Sequence, residues 1–253
     1  MVSAVADDLS PMELMRALVT KEAEVGPGLT HLEMYTLEGL LGILWHGPRW
    51  AEAAVVLCGG GMGGFLGPAE SIYPWLGQRL AEEGVATLRV DYRRPSHLEP
   101  CVLDACVAAD LASQRGARSF VSVGHSFGGA VAINVALALP SYVRGVVTLA
   151  SQSAGCESAA GLSGRPFLLV HGDADEILAP DNSFIVRELA GSGDVVVYPG
   201  AGHLLDQAAD WMRGFLVPWI LEALAGGRPA APEPPPRLPP PAPPAPPASP
   251  ALG

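Results

Sequence analysis

The sequence predicts an α/β protein with a mostly parallel sheet of about eight strands, helices on both faces and no large cap domain. Short, continuously apolar segments such as AAVVLC and SFVSVG have the length and composition of buried strands. Segments of helical length separate them, and this alternation is typical of βα units around a parallel sheet. With 253 residues, 49% of them hydrophobic, the chain can build one large core.

The predicted elements follow one another in a regular order. Residues 1–25 are expected to form an N-terminal helix, because Ser10, Pro11 and Glu13 match an N-cap, a first helical position and a capping box. HLEMYTLEGLLGILWHG is typical of two antiparallel strands. Strands and helices then alternate through AAVVLC, YPWLGQRLAEEG, VATLRVD, PCVLDACVAADLASQRG, SFVSVG, GGAVAINVALAL, VRGVVTLAS, PFLLVHG, FIVRELAG, DVVVYPG and AADWMRGFLVPWILEALAG. We therefore expect one α/β domain over residues 26–226.

Residues 227–253 differ sharply in composition from this domain. About half of them are proline, which lacks a backbone N–H and cannot continue a helix or a sheet. We expect a disordered, proline-rich tail. Docking of its PxxP motifs on a partner is the alternative interpretation.

Composition narrows the range of partners. The net charge of −11 argues against nucleic acid, because binding to phosphates requires clustered Lys and Arg. No apolar run reaches the ~18 residues of a membrane span, and the acidic N-terminus does not resemble a signal peptide. The cysteines lack CxxC spacing, and no histidines have metal-ligand spacing. We expect a cytoplasmic protein without metal or cofactor, and the oligomeric state stays open.

The segment CGGGMGGF, residues 58–65, is called the glycine loop here. Gly59, Gly61 and Gly64 match G-x-G-x-x-G, and the next predicted strand ends in Asp91, as in dinucleotide-binding proteins. However, two prolines interrupt the segment where the phosphate-binding helix should begin, and two strands precede the loop. An NAD(P)-binding oxidoreductase is therefore an alternative hypothesis.

The segment GHSFG, residues 124–128, matches the G-x-S-x-G pattern of a nucleophile elbow. A predicted strand precedes it and a helix of small residues follows it. A serine hydroxyl needs a base, and the base needs an orienting acid. Later strand ends offer Asp173 or Asp175 as the acid and His203 as the base. The order Ser126, Asp175, His203 is the order expected for this arrangement.

The motifs GHSFGG, HGDADEIL, PGAGH and VVLCGGGMGGF together resemble those of the α/β-hydrolase superfamily over residues 30–225. The nearest members are the small dienelactone-hydrolase-like and esterase-like serine hydrolases. The resemblance implies the α/β-hydrolase fold with Ser126 as nucleophile and His203 as base. It also implies that Asp175, rather than Asp173, orients the base.

The same resemblance implies an oxyanion hole built from backbone N–H groups. Phe127 supplies one group, and Met62 or Gly61 in the glycine loop supplies the other. The chain departs from the family where Cys58 stands in place of the usual histidine before this loop. Since the donor is a backbone group, we expect the oxyanion hole to survive this change.

The remaining side chains lead to expectations about the pocket. Phe65, Ile177 and Leu204 are expected to bound it. The link SQSAGCESAAGLSGRP, before the PFLLVHG strand, is too short for a helical cap, so an open, shallow pocket is expected. His125 and His171 are expected to have structural roles, with the His125 side chain pointing away from the nucleophile.

These observations favour a serine hydrolase that cleaves a small carboxylic ester or thioester through an acyl-enzyme. An acyltransferase would use the same intermediate. The alternatives from other classes are the NAD(P)-binding oxidoreductase and a non-catalytic binding protein on the hydrolase fold, because a fold alone does not fix a function.

Overall fold

The computed structural model of the protein describes residues 10–162 and 164–236. Within these ranges, nine strands form one sheet in the order β1-β2-β3-β5-β4-β6-β7-β8-β9. The strands are β1 (Val19–Gly26), β2 (Leu29–Thr36), β3 (Gly39–His46), β4 (Ala53–Cys58), β5 (Ala86–Asp91), β6 (Ser119–His125), β7 (Val143–Leu149), β8 (Phe167–Gly172) and β9 (Asp194–Tyr198). The helices are α1 (Pro11–Met15), α2 (Pro68–Glu82), α3 (Leu98–Gln114), α4 (Phe127–Ala138), α5 (Asp181–Ala190) and α6 (Ala209–Leu224).

The pairing of the strands confirms the predicted fold class. Strands β1, β2, β3 and β5 pair antiparallel in that order, whereas the pairs from β5 through β4, β6, β7 and β8 to β9 are all parallel. Parallel neighbours need crossover connections, and helices supply them on both faces of the sheet, except between β7 and β8. The additional strand, beyond the eight expected, is β1.

Strand β1 corrects the prediction of a helix over residues 1–25. The capping box at Ser10 is present, but α1 ends after Met15 and Arg16 adopts a left-handed φ of 53°. Residues 19–25 instead pair with β2, and residues 1–9 lie outside the described part of the chain. Nearly every residue of β1 is exposed, so its sequence carries no alternating apolar pattern.

Two apolar layers enclose the sheet. One layer packs α1, α3, α4 and α5 against one face, and the other packs α2 and α6 against the opposite face. Both layers consist mainly of Val, Leu, Ile and Ala with almost no exposed surface. The parallel strands are thus buried on both faces, which explains their continuous apolar sequences.

The expectation of a disordered tail from residue 227 is wrong for the residues that the structure describes. Pro229 is buried, and the indole N–H of Trp211 donates a hydrogen bond to the carbonyl of Glu233 over 3.0 Å. Residues 227–236 therefore lie against the domain. The rest of the predicted tail, residues 237–253, is outside the described residues.

The described residues hold neither a membrane-spanning helix nor a cluster of metal ligands. None of the helices in this part of the chain is long and apolar enough to cross a membrane. Among the described residues, no three or more His, Cys, Asp or Glu side chains form a group that could hold a metal ion.

All four cysteines are free and buried, and burial raises the pKa of each thiol to about 12.

Candidate active site

Ser126 lies in a sharp turn between β6 and α4. Its backbone has φ 55° and ψ −121°, a conformation that costs energy for a residue with a side chain. The turn is possible because its neighbours are glycines. A Cβ on Gly124 would overlap the carbonyl oxygen of Gly128, and a Cβ on Gly128 would overlap the carbonyl oxygens of Cys58 and Gly59. The strand–turn–helix geometry is that expected of a nucleophile elbow.

Substituting Gly124 by alanine should destabilise the protein by about 3 kcal/mol or more, because the added methyl group has to displace backbone rather than a flexible side chain. Gly214→Ala is the matched control. Gly214 lies within α6, and a Cβ there meets nothing within 4 Å, so this change should be neutral or stabilise by about 1 kcal/mol. Denaturant unfolding of both variants measures the difference. Equal stabilities would contradict the close approach at the elbow.

His203 and Asp175 form a hydrogen-bonded pair. His203 lies after β9 and is buried, and its Nδ1 is 2.8 Å from Asp175 Oδ2. A carboxylate oxygen only accepts, so Nδ1 carries the proton. In the neutral ring, Nε2 therefore keeps its lone pair. This is the tautomer that a general base needs.

The Asp175 carboxylate has hydrogen-bond partners on both oxygens. Oδ1 accepts from the backbone N–H groups of Ile177 and Leu178, and Oδ2 accepts from His203 and His171. Burial alone would raise the pKa of Asp175, but the hydrogen bonds from Leu178, His203 and Ile177 outweigh it and hold the pKa below its ordinary value. Asp175 is therefore ionised at neutral pH.

His171 extends this network away from Ser126. Its Nε2 lies 3.1 Å from Asp175 Oδ2 and 3.0 Å from the Leu178 carbonyl, two acceptors, so Nε2 carries a proton. Burial lowers the pKa of His171 and keeps the ring neutral. Nδ1 then accepts from the Ser183 hydroxyl at 2.7 Å. Ser183, His171, Asp175 and His203 thus form a hydrogen-bonded chain that passes through Asp175 Oδ2. Ser183 was not among the residues predicted from the sequence.

His125 does not point away from the site as expected. It lines the same cavity as Ser126 and His203, and its ring centroid is 5.0 Å from that of His203. Its Nε2 donates to the His203 carbonyl over 3.1 Å, because that oxygen can only accept. Burial lowers the pKa of His125 to about 4, so the ring is neutral. His125 thus holds the backbone of His203 in place.

The glycine loop is held by three side chains, one from α2 and two from the link between β5 and α3. The Tyr73 hydroxyl donates to the Cys58 carbonyl, and the Tyr92 hydroxyl donates to the Gly59 carbonyl. Ser96 donates to the Gly61 carbonyl over 2.6 Å. The loop turns back on itself through a hydrogen bond from the N–H of Gly63 to the carbonyl of Gly60. These contacts fix where its remaining N–H groups lie.

Two glycines of this loop approach the elbow. A Cβ on Gly60 would lie 3.8 Å from Ser126 Cβ, and a Cβ on Gly61 would lie 3.8 Å from Phe127 Cβ. The side chain of Met62, in contrast, is 93% exposed. Gly60 was not among the residues that the sequence singled out, although it is the loop residue with a close approach to Ser126.

Ser126 and His203 line a common cavity of about 520 Å³. Its other lining residues include the glycine loop, Ser96, His125, Phe65 and Leu204. Ile177, also predicted to bound the pocket, is not among its lining residues. The Ile177 N–H donates a hydrogen bond to Asp175. The residue is 66% exposed to solvent rather than part of the cavity wall.

No cap covers this cavity from the link between β7 and β8. The described part of that link, which lacks residue 163, contains a single turn of 3₁₀ helix, Ala159–Leu162. An open cavity was expected from the short link.

Comparison with solved structures finds the same architecture in known hydrolases. Est1E from Butyrivibrio proteoclasticus matches 77% of this chain and 99% of its own, with 19% identity and a TM-score of 0.63. The dienelactone hydrolase from Anabaena variabilis matches 81% and 99%, with 18% identity and a TM-score of 0.65. The thioesterase domain from the curacin biosynthetic pathway matches 76% and 100%, with 14% identity and a TM-score of 0.58.

The chain has the α/β-hydrolase fold. No family model and no curated protein sequence matches it. The fold assignment therefore rests on the nine-stranded sheet and on its similarity to these structures.

In this α/β-hydrolase fold, the residues predicted as a triad come from three separate loops. Ser126 follows β6, Asp175 follows β8 and His203 follows β9. Asp173, the other candidate acid, is engaged elsewhere, since its Oδ1 accepts from the Gly200 N–H over 2.6 Å. The His203 Nδ1–H donates its hydrogen bond to Asp175, the acid that was preferred from the sequence.

The geometry disfavours the dinucleotide-binding alternative. Asp91, the residue that would bind a ribose, accepts a hydrogen bond from the Gly64 N–H over 2.8 Å and so fixes the glycine loop. The helix after the loop also begins irregularly. Its residues 69–71 have left-handed φ values of 51–66°, so their N–H groups do not form the aligned helix N-terminus that binds a pyrophosphate.

Proposed function

We propose that the protein is a cofactor-free serine hydrolase that cleaves small carboxylic esters or thioesters. One observation carries the proposal. His203 is held by the Asp175 carboxylate in the tautomer of a general base, and it lines the same cavity as the strained Ser126. Such an arrangement supports acyl transfer to serine.

In the proposed reaction, Ser126 Oγ attacks the carbonyl carbon of the substrate while His203 Nε2 takes the hydroxyl proton. The tetrahedral intermediate collapses, and His203 returns that proton to the departing alcohol or thiol. The acyl group remains on Ser126 as an ester. Water then attacks this ester, His203 again accepts and returns a proton, and the carboxylic acid leaves. Asp175 remains ionised and stabilises the imidazolium that forms twice in each cycle.

We assign stabilisation of the oxyanion to backbone N–H groups. Phe127 begins α4, so its N–H is one of the first in the helix, which have no carbonyl partner within it. The second donor comes from the glycine loop. The close approach of Gly60 to Ser126 and of Gly61 to Phe127 favours these two residues over Met62. Glycine suits this position, because no side chain shields the N–H from a bound carbonyl.

The substrate class follows from the residues around Ser126. Phe65 and Leu204 offer apolar surface, while the glycine loop offers backbone polar groups. Two of the similar structures are a dienelactone hydrolase and a thioesterase domain, and acyl chemistry on this chain would agree with their activities. Carboxylic esters and thioesters share the carbonyl carbon that Ser126 would attack.

A fluorophosphonate probe tests the proposal directly. It should label the wild-type protein at Ser126, because only an activated serine reacts with it at neutral pH. Ser96 lies in the same cavity and hydrogen-bonds to the glycine loop, so Ser96→Ala is the matched control and should still be labelled. Mass spectrometry of the labelled peptide locates the adduct. Labelling of a serine other than Ser126 would overturn the proposal. The absence of any labelling, together with micromolar binding of NADH, would also overturn it.

The uncapped cavity predicts a preference for short acyl chains. Each CH₂ group that stays in water forgoes about 0.8 kcal/mol of binding free energy, so a longer chain gains little on an open surface. In a series of p-nitrophenyl esters, kcat/KM should be highest for acyl groups of about two to six carbons. A maximum at about twelve carbons would indicate an apolar cover from outside the described residues.

A further inference from the structure

The chain reverses direction at the end of α6. Gly226 adopts φ +80°, its N–H donates to the Ala223 carbonyl, and the Gly227 N–H donates to the Glu222 carbonyl. This pair of hydrogen bonds forms a Schellman motif, which ends a helix and turns the chain away from its axis. The segment that follows can therefore run back along the outside of α6.

The length of the segment fits this course. From Gly227 to Glu233, six residues in a polyproline II conformation span about 19 Å, at about 3.1 Å per residue. From Trp211 to Ala225, the helix spans about 21 Å, at about 1.5 Å per residue. Glu233 thus returns to the level of Trp211, where the hydrogen bond between them is found.

Burial along residues 229–236 has a period of three. Pro229 is buried, Pro232 and Pro235 are half-buried, and the residues between and after them are exposed, including Pro234 and Pro236. A polyproline II helix has three residues per turn, so every third side chain lies on the same edge. One edge of the segment, formed by Pro229, Pro232 and Pro235, therefore faces the domain.

The surface beneath the segment is aromatic. The Trp211 ring lies near those of Tyr198 and Phe215, with ring centroids 5.3 Å and 4.5 Å away and interplanar angles of 54° and 58°. All three are only partly buried, and Trp211 presents its indole N–H to the Glu233 carbonyl. Next to them, Pro235 and Pro236 line a cavity of about 670 Å³ together with Tyr198, Pro199, Gly200 and Gln207.

We propose that this surface, formed by Tyr198, Trp211 and Phe215, is a polyproline-recognition site, and that its occupant is the chain's own segment PAAPEPPP, residues 229–236. An aromatic-lined surface and an indole N–H that donates to a backbone carbonyl are features by which proteins bind polyproline II helices, and both are found here. The preformed extended conformation of the segment lowers the entropic cost of docking.

The matched test compares two double variants of the full-length chain. Pro232→Ala/Pro235→Ala changes two prolines that face the domain, and Glu233→Ala/Pro234→Ala changes the two exposed residues between them, neither of which lines the cavity. Both variants place two alanines in the segment, and both keep the Glu233 backbone carbonyl. The readouts are Tm and the Trp211 indole N–H signal in a ¹H–¹⁵N NMR spectrum, assigned with Trp211→Phe. We expect the first variant to lower Tm by about 3 °C and to expose the indole N–H to exchange, and the second to change neither.

A peptide supplied in trans identifies the ligand class. The peptide RPAAPEPPPR, residues 228–237, should restore the Trp211 signal of the Pro232→Ala/Pro235→Ala protein. The same peptide with alanine at positions 232 and 235 should bind at least about tenfold more weakly. The wild-type protein should not respond to the peptide at comparable concentrations, because its own segment competes at high effective concentration.

Three results would overturn the proposal. Equal effects of the two double variants would mean that the facing edge has no special role. An unchanged indole signal in the Pro232→Ala/Pro235→Ala protein would mean that the segment does not occupy the surface. A dimeric mass by light scattering that falls to a monomer in that same variant would mean that the occupant is the segment of a second copy.

Discussion

Ser126→Ala will remove nearly all esterase activity, with a loss in kcat on the order of 10⁶-fold, and His203→Ala will cost about as much. The two losses are similar because the nucleophile and its base act as a unit, so removing either one removes the acyl-enzyme route. Ser126→Ala keeps a small residue at φ 55°, so the variant should fold. Steady-state kinetics with a short p-nitrophenyl ester measure the effect.

The control for this comparison lies in the same cavity. Ser96→Ala removes a hydrogen bond to the Gly61 carbonyl but no group that reacts, so its loss should stay within about tenfold. The double variant Ser126→Ala/His203→Ala should be no slower than either single variant. If Ser126→Ala kept a rate within about tenfold of the wild type, the serine mechanism would be wrong.

Asp175→Asn should lower kcat by about 10⁴-fold and also destabilise the fold by about 1–3 kcal/mol. The carboxylate accepts from two backbone N–H groups on one oxygen and from His203 and His171 on the other. An amide has only one oxygen, so whichever way it turns, its NH₂ group meets donors. When the NH₂ faces His203, the ring takes the opposite tautomer and loses its basic Nε2.

Asp173→Asn is the matched control for this carboxylate. Asp173 Oδ1 accepts from the Gly200 N–H, and an asparagine oxygen can still accept that bond, so kcat should stay within about tenfold of the wild type. Kinetics and denaturant unfolding of both variants separate the two acids. A larger loss in Asp173→Asn than in Asp175→Asn would reverse the roles assigned to them.

The parts of the fold that the sequence predicted well are those whose side chains are buried. The parallel strands are continuously apolar because helices cover both faces of the sheet. The turn at Ser126 can be recognised from the sequence because close backbone contacts require glycine at positions 124 and 128. Asp175 was preferred because HGDADEIL resembles a family motif, and it is the carboxylate that His203 contacts. These features depend on local chemistry, which is visible in a few consecutive residues.

The features that the sequence did not reveal depend on distant partners. The register of the glycine loop is set by Tyr73, Tyr92 and Ser96, and five glycines carry no side chains to indicate it. Residues 229–236 contact the domain at Trp211. Nothing in the local sequence of α6 distinguishes this tryptophan from other aromatic residues of a helix. His171 is held by Ser183, which lies on another element.

Strand β1 has a consequence for self-association of the protein. It is one of the two edge strands of the sheet, so within the described residues one row of its backbone N–H and C=O groups has no neighbouring strand, and such a row can template the addition of another chain. Its exposed side chains include Lys21, Glu22 and Glu24, and its register shifts between Glu24 and Gly26. Charges and an irregular edge both hinder in-register stacking, so this side of the sheet is protected against edge-to-edge aggregation.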